Sequence, residues 1–200
     1  MTEEVQKYRI GGVTEYLSRS NLISEVLDTE TALDLIAVVE AALRELTELG
    51  HELAAQVILV TDNGPAMKAR RFRNFVKKNE LLIHVRSRKY HPETIGRVER
   101  YHGSLKLEHF YRVLPNNRTE LIDAVENYRR FYNYERLHRS LRYCTPAAVY
   151  LTTDATNSDL SAGKSCSEIV EQETLMQRPV GLSFGLRPPP GYRKYEGRIK

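Results

Sequence analysis

The sequence predicts an α/β layered domain. Three observations carry that reading. Short apolar runs bounded by turn residues are interspersed with stripes at helical spacing. Their order along the chain is β-β-α-β-α-β-α-α. The pattern stops near Leu151, and the remainder of the chain is polar and then rich in Pro and Gly.

Each element has its own signal. From Tyr8 to Leu27 two strands are expected, the first through Ile10, Val13, Tyr16 and Leu17, the second through Leu22, Ile23 and Val26. The polar stretch SRSN turns the chain between them. The next segment places Ala32, Leu35, Ile36, Val39, Ala42, Leu43 and Leu46 on one helical stripe. Thr31 with Asp34 three residues on suits its N-terminal cap, and Gly50 suits its stop. Val57 to Thr61 reads as a buried strand that ends at Asp62, before the turn residues Asn63, Gly64 and Pro65. A helix over Ala66 to Lys78 buries Phe72, Phe75 and Val76, and Leu81 to Val85 forms another short strand. A polar, basic loop then leads into a helix from about Ile95 to Tyr111. LPNN breaks that helix. The last one runs from about Thr119 to Asn133, with Leu121, Val125, Tyr128 and Tyr132 in register. The domain is placed at residues 1–151, with 152–200 read as a linker or poorly ordered tail.

Bulk properties narrow the function. No apolar run is long enough to span a bilayer, and the polar, acidic N-terminus does not read as a secretory signal, so a soluble cytoplasmic protein is expected. Cys144 and Cys166 have no paired spacing, so neither a disulfide framework nor a zinc knuckle is expected. The net charge of +4 conceals an asymmetry: −8 over Met1 to Asp62, +11 over Asn63 to Arg142, and +1 over the rest. A block at +11 points to a polyanionic partner, because clustered Lys and Arg gain affinity by releasing phosphate counterions. GGVTEY lacks the Lys and the following helix of a phosphate loop.

Two acids stand out for chemistry. Carboxylates converging from separate elements hold Mg²⁺ or Mn²⁺ in phosphoryl-transfer sites. Asp62 lies at the mouth of a strand, although an Asp before Asn-Gly also opens an ordinary turn. Glu99 lies in the first turns of a helix, and His102, Gly103 and Lys106 share its face. Gly103 leaves room for a bulky ligand, Lys106 offers charge to a phosphate, and Ile95, Val98 and Leu105 anchor the neighbouring face. A helical Glu flanked like this by Arg97 and Arg100 is more often a surface ion-pair partner.

VTDNGPAM, RSRKYHPETIGRVERYHGSLKLE and YRRFYNYERLHRSLRYCTPAAVY, in that order, resemble the integrase catalytic core of DDE transposases and retroviral-type integrases. The likeness is greatest to bacterial insertion-sequence transposases and covers roughly Tyr8 to Leu151. The resemblance implies an RNase H-like fold, a mixed sheet flanked by helices, and metal-dependent DNA cleavage with strand transfer. It assigns Asp62 to the second aspartate of the family's set and Glu99 to its glutamate, with Gly96 as the glycine of the G-x-x-ER motif. Tyr132, Asn133, Arg136, His138 and Leu141 match the segment after the catalytic helix. Mg²⁺ or Mn²⁺ is the implied cofactor and DNA the implied partner, in association with the nucleoid. Lys89, Arg97, Arg100 and Lys106 are the first candidates for phosphate contacts, and Arg86 and Arg88 the second.

The departure from the family pattern lies at the start. Its first aspartate sits on a strand before the YRIGGVTEYLSR strand, where this sequence has only a few polar residues and no Asp. Glu3, Glu4, Glu15 and Asp28 are the nearby acids, and Glu15 and Asp28 are the candidates for a substitute. The expectation is a core lacking its first strand, truncated or part of a split product. Such a sheet would have to close up, recruit a segment from another chain, or stay poorly folded. The alternative to an active enzyme is a remnant that binds DNA or a full-length transposase without catalysis. Of the histidines, His84 and His138 read as packing residues, and His102 with His109 lack a third zinc ligand in register. Tyr90, Tyr101 and Tyr111 interleave with the basic residues.

Overall fold

The computed structural model describes residues 8–48, 56–87, 96–112, 115–151 and 180–184. Five strands form one sheet: β1 (Arg9–Glu15), β2 (Asn21–Leu27), β3 (Val57–Thr61), β4 (Leu82–Arg86) and β5 (Val180–Phe184). Their spatial order is β2-β1-β5-β3-β4. β1 is antiparallel to β2 and to β5, while β3 is parallel to β5 and to β4.

The helices are α1 (Ala32–Glu48), α2 (Pro65–Lys68), α3 (Arg70–Lys78), α4 (Gly96–Ser104), α5 (Arg118–Tyr134) and α6 (Pro146–Leu151). Two apolar layers sandwich the sheet. On one face Leu35, Val38, Val39 and Leu46 of α1 and Phe72 and Val76 of α3 pack on Val13, Leu22, Leu59 and Leu82. On the other, Tyr101, Leu105, Leu121, Val125, Tyr128 and Tyr132 pack on Ile10 and Val26. The alternation of side chains along β1 supplies both faces, and in β2 a register irregularity at Leu22 puts it on the face of Leu27 while Val26 faces the other layer.

Local chemistry sets the element ends. Asp34 accepts the Thr31 N–H and Oγ1–H, both at 2.8 Å, while Thr31 Oγ1 accepts the Asp34 N–H, which is the expected cap of α1. Asn117 Oδ1 accepts the Glu120 N–H at 2.9 Å and starts α5. Ala69 adopts an extended ψ of 140°, so the expected single helix after Asp62 divides into α2 and α3. The expected helix to Tyr111 is α-helical only through Ser104 and continues as a π-helical segment, Leu105–Phe110.

The centre of the sheet corrects the sequence reading. The core does not end at residue 151, because Val180–Phe184 lies between β1 and β3. It pairs with Gly11–Glu15 on one side and Leu59–Thr61 on the other. The sheet therefore neither closes up nor recruits another chain: a segment of the same chain joins its halves. Cys144 is a second correction. It is buried and disulfide-bonded, despite the absence of paired spacing. Spacing along the chain does not report which thiols meet in space. The other cysteine, Cys166, lies outside the described residues.

β2 is an edge strand, and α5 covers its backbone. Asn133 accepts the Asn21 N–H at 2.9 Å and donates to the Asn21 carbonyl at 2.8 Å. Arg129 and Arg118 donate to the carbonyls of Leu22 and Val26. Asn133→Ala leaves both buried Asn21 groups unpaired. It is expected to cost about 2–4 kcal/mol, read as a lower urea midpoint with an unchanged slope.

Candidate nucleic-acid and metal-binding site

Asp62 follows β3, and the strand end is held from two sides. Thr61 Oγ1 lies 3.1 Å from the Asp62 carbonyl, to which it donates, and 2.8 Å from His84 Nε2 on β4. Asn63 Nδ2 donates to the Ser87 carbonyl at 2.7 Å. His84 also meets the edge of Phe72, and burial, with Arg86 nearby, lowers its pKa. It is a packing residue, as expected. Asp62 Oδ1 accepts the Gly64 N–H at 2.7 Å, so the turn role of this acid is realised. A Cβ at Gly64 would stand 3.0 Å from that oxygen, which is why glycine suits the position. Oδ2 makes no hydrogen bond or ion pair among the described residues.

Glu99 is exposed on α4 and makes no ion pair among the described residues, so the surface-pair reading with Arg97 or Arg100 is not realised. Val98 and Leu105 anchor the buried side of the helix as expected, joined by Tyr101, while Ile95 lies outside the described residues. A Cβ at Gly96 or Gly103 would meet nothing within 4 Å, so the helix surface is open at both. Lys106 is part-buried, and desolvation lowers its pKa.

β5 is the neighbour of both elements. It pairs with β3, and α4 packs on β5 and β1. Two carboxylates with oxygen-only donors are the right kind of ligand for a hard divalent cation. Among the described residues, however, no three His, Cys, Asp or Glu side chains cluster as a metal site. The candidates for a substitute third acid are engaged elsewhere. Glu15 is wholly buried and holds the β1–β2 turn, accepting the Leu17 and Ser18 N–H groups. Asp28 is exposed and faces Arg118 at 3.4 Å. Glu3 and Glu4, the basic candidates Arg88 and Lys89, and Tyr90 lie outside the described residues. Arg86 is exposed at the end of β4.

The segment after α5 forms a polar network that sequence reasoning only partly anticipated. Arg136 grips Glu108 through two bonds, at 2.8 and 2.6 Å, and Tyr128 donates to the same carboxylate at 2.9 Å. The guanidinium holds Glu108 below the usual carboxylate range. Glu108 was legible as an acid in the RSRKYHPETIGRVERYHGSLKLE motif, but its partner 28 residues away was not. His138 packs its ring edge on Tyr132, with centroids 4.7 Å apart, and Arg136 Nη1 lies 3.3 Å from its Nε2. Burial, then Arg136 and Arg19, push its pKa down to about 4. The folded state thus favours neutral His138. Its stabilising contribution is complete above an unfolded pKa of about 6.5 and is lost as pH falls from there toward 4. The melting temperature is expected to drop over that window in wild type, and to flatten in His138→Gln.

An integrase core domain family model matches residues 82–146, from β4 into α6. The chain is similar to a transposase/integrase core. The core is 28% identical over 150 residues to the Escherichia coli (strain K12) protein "Putative transposase InsK for insertion sequence element IS150". That alignment covers 72% of this chain, and the chain spans about half, 51%, of the relative's length. In fold, the core is similar to the catalytic core domain of BIV integrase, with a TM-score of 0.53 and 23% identity, covering 79% of this chain and 91% of that one. The HTLV-2 integrase catalytic core domain is a more distant likeness, at TM-score 0.46 and 19% identity over 68% of this chain and 90% of that one. The mixed α/β architecture is that of the RNase H-like class, as the motifs imply. No described helix is long and apolar enough to cross a membrane.

Proposed function

We propose that this core processes DNA in transposition, with Asp62 and Glu99 placed at a scissile phosphodiester and holding Mg²⁺ or Mn²⁺ there. The observation that supports this best is the pairing of positions: an acid at the end of a central-sheet strand, and an exposed acid, without an ion pair among the described residues, on the helix packed over the adjoining strand. Similarity to a transposase-named relative supports the substrate class. When bound, the cation would polarise the phosphoryl group and activate the attacking oxygen. The chain's part is to fix the Asp62 carboxylate through Thr61, Asn63 and Gly64, and to offer Glu99 on a helix with open surface. Arg97, Arg100 and Lys106 supply positive charge along that helix, and Arg86 at the end of β4. Lys89 and Arg88 belong to the same reading.

A second reading is a core that binds DNA, or a further copy or longer form of the transposase, without cutting. The specific observation favouring it is β5. The strand between the elements of Asp62 and Glu99 reads VGLSF and carries no carboxylate. Incubating supercoiled plasmid with the chain and Mg²⁺ or Mn²⁺ separates the two. Nicking that disappears in Asp62→Asn supports the first; salt-sensitive DNA binding without nicking, indifferent to Asp62→Asn, supports the second.

A further inference from the structure

We propose that the hollow formed by the β1–β2 turn, the start of α4 and the turn after α5 seats a backbone phosphate of DNA, gripped by Arg19, Arg97, Arg100 and Arg139. The proposal rests on the DNA-processing reading above and adds a site that it does not contain.

The hollow has a volume of about 950 Å³, at the upper end for a small-molecule site and ample for a nucleotide unit. Five guanidiniums line it, those four and Arg136. Glu108 neutralises Arg136, but none of the other four has a carboxylate partner among the described residues. His138 also lines it, and its depressed pKa leaves it neutral near pH 7. The wall therefore carries about four uncompensated positive charges.

Arg19 shows that this arrangement is built and not incidental. Its φ is 64°, a left-handed backbone that is strained for a non-glycine residue. Its Nε is buried with no hydrogen-bond partner among the described residues. Burial, together with the nearby Arg97 and Arg100, makes its charged form harder to hold. Strain, desolvation and like-charge repulsion thus coincide at one side chain, and an oxyanion with several acceptor oxygens relieves the last two. Arg97 is held over the Tyr16 ring at 3.7 Å, which fixes its donors. Arg97 and Arg100 flank Glu99 within one turn of α4, so a strand reaching Glu99 runs past the hollow. Exposed Tyr143 at the lip offers a face for sugar or base.

The test is DNA binding by fluorescence anisotropy across a salt series, beside melting temperature. Arg139→Gln should weaken binding several-fold at about 0.1 M salt and lower the salt slope by about one. Arg139→Lys should restore the slope, and Arg118→Gln, outside the hollow, should leave it unchanged. Arg19→Asn should lower affinity while keeping or raising the melting temperature, because Asn tolerates the left-handed backbone; a purely structural Arg19 would lower it. Wild-type affinity and slope in both Arg19→Asn and Arg139→Gln overturn the proposal. If wild type binds no DNA, the functional reading fails. In that case, stabilisation by pyrophosphate that is lost in Arg139→Gln overturns only the DNA source, and no stabilisation overturns the hollow itself.

Discussion

Truncation after Leu151 is expected to abolish cooperative unfolding. β5 joins the β2-β1 half of the sheet to the β3-β4 half, and no other described strand pairs with both. Its removal exposes the ladder faces of Gly11–Glu15 and Leu59–Thr61. Buried backbone groups left unpaired cost about 1–3 kcal/mol each. Several together match the whole net stability of a typical domain, about 5–15 kcal/mol. Circular dichroism should show a broad, non-sigmoidal melt for residues 1–151 and a sigmoidal one for the full chain. Leu182→Pro, which removes one ladder donor from an otherwise complete chain, should lower the melting temperature clearly. A truncated chain that melts like the full one would show that β5 is dispensable to the sheet.

The second large effect concerns the acids. Asp62→Asn keeps an acceptor for the Gly64 N–H, so the turn should survive, with a melting temperature close to wild type. Nicking should nevertheless fall by about a thousand-fold, equivalent to about 4 kcal/mol of barrier. Glu99→Gln changes an exposed side chain with no ion pair among the described residues and should cost almost no stability, with a similar loss of activity. A loss of activity with retained folding is the signature that separates a chemical role from the turn role Asp62 also plays.

Most of the architecture was legible because it is written in local periodicity. The α1 stripe, its Thr31–Asp34 cap and the Tyr128–Tyr132 face of α5 each follow from spacing within one element. β5 was not legible for the opposite reason. Five residues, VGLSF, sit among polar and Pro/Gly-rich sequence, and their central place depends on partners about 170 residues earlier. Asp62 and Glu99 were legible as candidates from their positions at element ends. Glu15, a minor candidate by sequence, serves a turn that sequence alone does not distinguish from a site. The arginine hollow was half legible. Arg97 and Arg100 stand out on their basic helix, but Arg19 and Arg139 come from turns that only the fold brings beside it. Arg19 carried no signal in SRSN beyond its charge, since a left-handed φ at arginine cannot be read from residue type.

The pairing of Asp62 with Glu99 at one divalent ion is tested most directly by titrating Mn²⁺ into the DNA-bound chain and following free Mn²⁺ by electron paramagnetic resonance. Shared ligation predicts saturable Mn²⁺ uptake by wild type that is lost in Asp62→Asn and in Glu99→Gln alike, with all three chains folded. Equal uptake by wild type and both variants would contradict it.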